Sequence, residues 1–169
     1  KMPYCCNKSE PGATFSSICV SWIPIVSNYA LMSPDELIQR AQQLVGRFSL
    51  SKPSLTAAAV GVALLTEQGN VYTGINTDFY CGIGFCAEHA AIAEMLKHRE
   101  TRIDLIVAVD QERVLPPCGR CRELMHQVDA ENRHYTRVIL GPNRIVPLHE
   151  LLPDYWIEEI QNPTSQADS

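Results

Sequence analysis

The sequence predicts an α/β fold in which helices pack on a mixed sheet. Three observations predict it. Apolar residues recur at helical spacing in three separate segments, short apolar runs rich in β-formers lie between those segments, and 169 residues suit one domain at roughly 150 residues each. With 46% hydrophobic and 20% charged residues, the chain can bury a core and is neither disordered nor an extended coiled coil.

The first helix is expected from Ser33, a good N-cap with Pro34 at the first helical position and Glu36 three residues on, as in a capping box. Leu37, Ile38, Ala41, Leu44, Val45 and Phe48 carry its apolar stripe to about Phe48. After a loop at Ser49–Ser54, Ala58–Thr66 and Val71–Ile75 read as strands joined by the short turn Glu67–Asn70. A second helix is expected from about Cys86 to His98, then a buried strand at Leu105–Val109. Pro116 and Pro117 break the chain, and a third helix begins near Cys118 with Leu124, Met125 and Val128 on its apolar side. Arg137–Leu140 forms a further strand, ended by Gly141–Pro142. The order α-β-β-α-β-α-β implies helices layered on a mixed sheet.

Residues 33–159 read as the catalytic domain. Residues 1–32 show no sustained period and read as an N-terminal extension, with Met32-Ser-Pro-Asp-Glu-Leu resembling a natural chain start. The apolar stretch Ile18–Val26 lacks a basic flank, contains Pro24 and has no small-x-small cleavage pattern, so it is not read as a signal peptide. Residues 160–169 read as a polar, frayed tail.

Charge and cysteine usage narrow the function. Fourteen basic against nineteen acidic residues give a net charge of −5 and a pI near 5.5. A protein that grips polynucleotides by counterion release usually shows a basic face, so nucleic acid is not expected as a partner. No uninterrupted apolar run of about 18 residues indicates a membrane span. Seven cysteines without a paired-disulfide spacing point to a reducing, cytoplasmic location.

Three of the cysteines sit where metal chemistry would want them. Cys86-Ala-Glu88 opens one expected helix, and Pro117-Cys118-Gly-Arg-Cys121 opens another, with 29 residues between Glu88 and Cys118. Three thiolates leave a fourth tetrahedral position for water, as in catalytic zinc sites, and zinc brings the pKa of such water to about 7. The three thiolates leave a net −1 on the centre. Helix N-termini offset this, and Arg120 or Arg122 beside Cys121 can donate to the sulfurs, with Arg120 the better placed between the ligands. Glu88, two residues after Cys86, can approach the bound water and its proton without binding the metal. It can carry that proton to a ring nitrogen and then to a leaving amine. A closed structural site, with Cys81 completing C-x4-C…C-x2-C, is the chief alternative. It leaves Glu88 unexplained, and such knuckles usually sit on hairpin turns. A non-catalytic zinc scaffold is the other.

The segments Gly61–Gly69, Gly74–Asn76, Cys86–Ala93 and Pro117–Arg122 resemble the cytidine deaminase family, over roughly Leu37 to Trp156. The resemblance implies a three-layer α/β/α fold with a mixed sheet of about five strands and one zinc per subunit, held by Cys86, Cys118 and Cys121. It implies that Glu88 shuttles protons. The Ala87 N–H would face the pyrimidine carbonyl, Asn76 would bind the ribose, and the Pro116 carbonyl would accept from the departing amine. It also implies a homotetramer with active sites shared between subunits, and a C-terminal aromatic, Tyr155 or Trp156, stacked on the base. Phe79 and Tyr80 belong to the same undecided class.

Three departures bear on the substrate. Asp78 stands where the family usually has Glu, the interval from Asn76 to Cys86 is 10, one residue shorter than expected, and His89 replaces a common Arg. Arg120 between the cysteines, and Glu150-Leu-Leu-Pro153 followed by Tyr155, resemble the blasticidin S deaminase branch, which acts on a cytosine nucleoside antibiotic. The expected activity is therefore hydrolytic deamination of cytidine or deoxycytidine, with such an antibiotic as the alternative and a nucleic-acid-editing deaminase behind both.

Overall fold

A computed structural model describes residues 32–157; the expected N-terminal extension up to residue 31 and the tail from 158 onward lie outside the described residues. The first helix, α1 (Pro34–Gln42), starts as expected. Ser33 Oγ accepts from the Glu36 N–H at 3.2 Å, and the Glu36 carboxylate accepts from the Ser33 N–H at 2.8 Å. The helix stops at Gln42, although its apolar period runs on to Phe48. Gly46 is a poor helix former, and its N–H instead reaches the Ala58 carbonyl at 2.9 Å. That bond turns the chain so that Phe48–Ser49 becomes a short strand, β1, paired with Ala57 and Thr56.

Six more strands follow: β2 (Thr56–Thr66), β3 (Val71–Asp78), β4 (Ile103–Val109), β5 (Val114–Leu115), β6 (Arg137–Gly141) and β7 (Arg144–Pro147). Five positions across the sheet run β3-β2-β4-β6-β7. The two extra strands over the five expected are two-residue pieces. β1 continues the β4 position along β2, and β5 continues the β6 position along β4. Both β3 and β4 run antiparallel to β2, β6 runs parallel to β4, and β7 returns antiparallel, which makes the sheet mixed.

Alternation along the strands sends side chains to two faces. Ala63, Leu105, Val107, Val109 and Ile139 pack against Leu37 and Ala41 of α1. Val62, Leu64, Ile106 and Ala108 face the other way, toward Ala91, Ile92 and Met95 of α2 (Ala87–Lys97) and Met125 of α3 (Gly119–Val128). Leu148, on the short α5 (Leu148–Leu151), joins this second core. The short α4 (Asn132–Tyr135) is pinned by Asn132, whose amide donates to the Met125 and Thr101 carbonyls at 2.9 Å and accepts from the Ile103 N–H. Helices thus cover both faces of the sheet, giving three layers. Among the described residues no helix is long and apolar enough to cross a membrane.

Two features hold α2 where the site needs it. At the site end, Gly74 of β3 lies so close to the helix that a Cβ there would meet the Ala87 carbonyl oxygen and the Ala91 nitrogen, each at 2.4 Å. Both are backbone atoms and cannot swing aside. Gly74→Ala is expected to lower stability by about 1–3 kcal/mol through overpacking, read as a lower urea midpoint. An unchanged midpoint would show that the strand and helix are not in this contact.

At the opposite end, Glu100, only 5% exposed, accepts from the Tyr72 hydroxyl and from Asn70 Nδ2 at 2.8 Å, tying the β2–β3 turn to the loop after α2. Burial alone would raise the Glu100 pKa, but donors on Thr66, Tyr72 and Asn70 outweigh it and hold the carboxyl below its ordinary 4.5. A carboxyl depressed in the folded state stabilises above its unfolded pKa, and that stabilisation is lost as pH falls through the folded value. Glu100→Gln should therefore lower the urea midpoint near neutrality. Its deficit relative to the parent protein should shrink below about pH 4.5. A deficit of constant size across that window would assign Glu100 a packing role only.

Candidate active site

The carboxyl ends of β3 and β4 lie at the same end of the sheet, because both strands run antiparallel to β2. The chain leaves each of them toward a helix N-terminus. Cys86 is the N-cap of α2 and Cys118 the N-cap of α3, both with extended backbones and with side chains unused in capping. Cys121 follows on the first turn of α3 and is fully buried. The Cys86 and Cys118 sulfurs stand 3.8 Å apart and those of Cys118 and Cys121 3.4 Å apart, all three lying within 4.8 Å of one another.

Tetrahedral zinc with Zn–S bonds of about 2.3 Å separates its sulfurs by about 3.8 Å, so this triangle has the right size. Cys81 is exposed, lies in a turn with φ 59°, and is not one of the converging sulfurs, so the described residues do not close a four-cysteine site. The acid–base chemistry of the donors fits a cation as well. Burial, with the Glu88 charge behind it, pushes the Cys121 thiol far up, and burial together with Cys118 raises that of Cys86. Cys118 is lowered: burial opposes its ionisation, but the Cys121 N–H and the neighbouring thiols outweigh burial. The lowered Cys118 favours its thiolate, and a divalent cation bound there would displace the thiol protons.

Glu88 lies on the first turn of α2, is 5% exposed, and borders the same space as Cys86 and Cys118. Burial raises its pKa, with the Cys121 thiol as a hydrogen-bonding neighbour acting in the opposite sense. It is not one of the converging ligands, in keeping with a carboxyl reserved for proton transfer.

These residues form one wall of a cavity of about 440 Å³. Asn76, Asp78, Ala87, Pro116 and Arg120 line it too, so the structure brings together eight of the expected site residues, with Cys121 behind the wall. Ala87 is the first residue of α2, where backbone N–H groups have no partner within the helix. The Asn76 amide is held at both ends: its Oδ1 accepts from the Val60 N–H at 2.7 Å, and its Nδ2 donates to Asp78 Oδ2 at 3.3 Å. That Val60 N–H is free because β2 bulges between Ala57 and Gly61, around Ala58 with φ 59°.

The remaining expected residues lie differently. Arg120 lines the cavity, but its side chain makes no hydrogen bond among the described residues, to sulfur or otherwise. Arg122 does the fastening: its Nε donates to the Pro117 carbonyl at 2.8 Å and its Nη1 to that of Leu151 at 2.9 Å, bracing the loop that carries Cys118. Tyr155 packs edge-on to His126 at 4.4 Å and under the Arg133 guanidinium at 4.7 Å, and Trp156 is 65% exposed; neither lines the cavity of its own chain. Phe79 lines it, as do Phe85, Val60, Ala108 and Leu115, which no motif singled out. Phe85 is signalled only by its place just before Cys86.

Residues 33–136 match the family model described as the cytidine and deoxycytidylate deaminase zinc-binding region. The chain belongs to this deaminase family. A cytidine deaminase of Halalkalibacterium halodurans is 32% identical over 106 residues, which is 61% of this chain and 80% of the relative. The blasticidin-S deaminase of Bacillus cereus is 34% identical over 76 residues, 39% of this chain and 54% of that enzyme. The crystal structure of cytidine deaminase from Mycobacterium tuberculosis matches with a TM-score of 0.60 at 29% identity, covering 72% of this chain and 95% of the other. The stretch matched by the deaminase family model contains Asn76, Glu88 and all three converging cysteines, whereas Tyr155 and Trp156 lie beyond it.

Proposed function

We propose that the protein is a zinc-dependent hydrolase that replaces the 4-amino group of a cytosine nucleoside with a carbonyl oxygen and releases ammonia. The observation that carries this reading is the cavity wall itself: three converging sulfurs, a buried carboxyl that is not one of them, and the Asn76–Asp78 pair facing the same space. Cys86, Cys118 and Cys121 would hold one zinc ion per chain. Bound there, zinc supplies Lewis acidity and an activated water at neutral pH.

The chain's own groups do the rest. Glu88 takes the proton released by the attacking water, delivers it to pyrimidine N3, and then relays a proton to the departing amine. Burial suits it to this work, since a raised pKa brings a carboxyl nearer the operating pH. The Ala87 N–H meets the pyrimidine 2-carbonyl, and the Pro116 carbonyl accepts from the leaving amine. Asn76 and Asp78 take the sugar. Phe79 and Phe85 exclude water around the ring.

The antibiotic reading stays in view for two specific reasons. Arg120 stands within Cys118-Gly-Arg-Cys121, and the chain is 34% identical over 76 residues to a blasticidin-S deaminase. The net charge of −5 speaks against polynucleotide substrates. The assembly we propose is a homotetramer with sites shared between subunits, supported by apolar side chains exposed in the loop between β3 and α2, Ile83 at 72% and Tyr80 at 58%. Residues 33–159 would form its catalytic domain, acting in the cytoplasm, where free thiols stay reduced.

A parallel ultraviolet assay of the zinc-loaded protein with cytidine, deoxycytidine and blasticidin S tests the reading. Loss of cytosine absorbance with the nucleosides is expected. Turnover of the antibiotic alone would transfer the assignment to the resistance enzymes, and silence on all three would overturn it.

A further inference from the structure

We propose that Thr56 and Arg47, outside the cavity wall, are positioning residues that aim the Asp78 carboxylate and so set the preference for a substrate hydroxyl. The inference rests on the reading of Asn76 and Asp78 as the sugar end of the site.

Thr56 opens β2 directly across from Asp78, the last residue of β3, and is only 4% exposed. Arg47 Nε approaches Thr56 Oγ1 at 3.3 Å, and Thr56 Oγ1 approaches Asp78 Oδ2 at 3.2 Å. The direction of this chain is forced. A guanidinium nitrogen can only donate, so the threonine oxygen accepts from Arg47 and its own proton goes to Asp78. Asn76 Nδ2 donates to the same Oδ2, while Asn76 Oδ1 is occupied by the Val60 N–H. Both side-chain donors to Asp78 therefore end on one carboxylate oxygen.

Two consequences follow from that convergence. Among the described residues Asp78 Oδ1 is left as an open acceptor, and Asn76 keeps one amide proton to offer beside it. An acceptor next to a donor is complementary to a group that both gives and takes a hydrogen bond, namely a hydroxyl. Asp78 is exposed and shorter than Glu, so hydrogen bonds rather than burial set its rotamer. The threonine hydroxyl, polarised by Arg47, makes the choice. Arg47 itself forms no ion pair among the described residues, so its Nε is committed to a neutral hydroxyl rather than to an acid.

Thr56→Val keeps the shape and removes the hydroxyl, Thr56→Ser restores it, and Arg47→Met removes the outer donor. With cytidine, Thr56→Val is expected to raise KM about tenfold, as for loss of one hydrogen bond to a charged group, with the loss in KM rather than kcat. Thr56→Ser should recover it, and Arg47→Met should show a smaller effect of the same kind. The parent protein should prefer cytidine over 2′,3′-dideoxycytidine, and Thr56→Val should narrow that preference. Equal losses on both substrates would mean that Thr56 only supports the fold, and would overturn the proposal. A crystal structure of Thr56→Val decides the positioning without any turnover: Asp78 is expected to leave Asn76, and an undisturbed Asp78 would overturn the relay. A protein that deaminates no cytosine nucleoside, yet whose Asp78 moves in that variant, would remove the proposed activity while upholding the positioning role.

Discussion

Glu88→Gln is expected to abolish nearly all deamination while leaving the fold and the zinc content unchanged. Positioned proton transfer is worth about 10²–10⁴ in rate, and in the proposed mechanism one carboxyl would serve both the ring nitrogen and the amine, so the loss should reach the upper end or exceed it. Glutamine is nearly isosteric and neutral, which suits a site whose burial already disfavours a charge. Circular dichroism and metal analysis of the variant should match the parent protein. Retention of most of the activity would remove Glu88 from the mechanism, and loss of zinc would make it a ligand instead of a proton carrier.

The second large effect concerns the metal. Cys118→Ala should bring the zinc content from one per chain to near zero, since it removes the sulfur that stands within 3.8 Å and 3.4 Å of the other two. Stability should fall as well, because the ion would tie the N-terminus of α2 to that of α3 and its binding energy adds to folding. Cys81→Ser should keep its zinc and its melting temperature. The pair separates the open three-cysteine centre from a closed four-cysteine site: loss of metal from both variants would favour the closed one. Elemental analysis and thermal melts, with and without a chelator, read both results.

The parts of this molecule that were legible in the sequence are those set by near neighbours. Ser33 with Glu36 announces the start of α1, because capping is decided within one turn. The cysteine and glutamate spacing announces the metal wall for the same reason, as those residues sit on two first turns. What the sequence hid depends on distant partners. The early end of α1 follows from Gly46 bonding to Ala58, twelve residues away. The bulge that frees the Val60 N–H for Asn76 lies in a run of alanines with no turn residue to mark it. β1 and β5, two residues each, are too short to show a period, and β7 ends at Pro147 on the sheet edge, where proline is tolerated but signals no strand. By spacing Arg120, between the two ligands, is the better placed of the pair, yet it is Arg122 that fastens the loop. Only the place of the Leu151 carbonyl shows why Arg122 braces the loop.

The central claim is that a zinc ion on Cys86, Cys118 and Cys121 drives deamination of a cytosine nucleoside. It is tested most directly by measuring zinc content and cytidine turnover on the same preparations, from metal-free to fully loaded. We expect turnover to rise in proportion to zinc and to level off at one ion per chain, with ammonia released mole for mole with uridine. Full turnover by the metal-free protein, or one bound zinc per chain with no turnover of any cytosine nucleoside, would contradict the account.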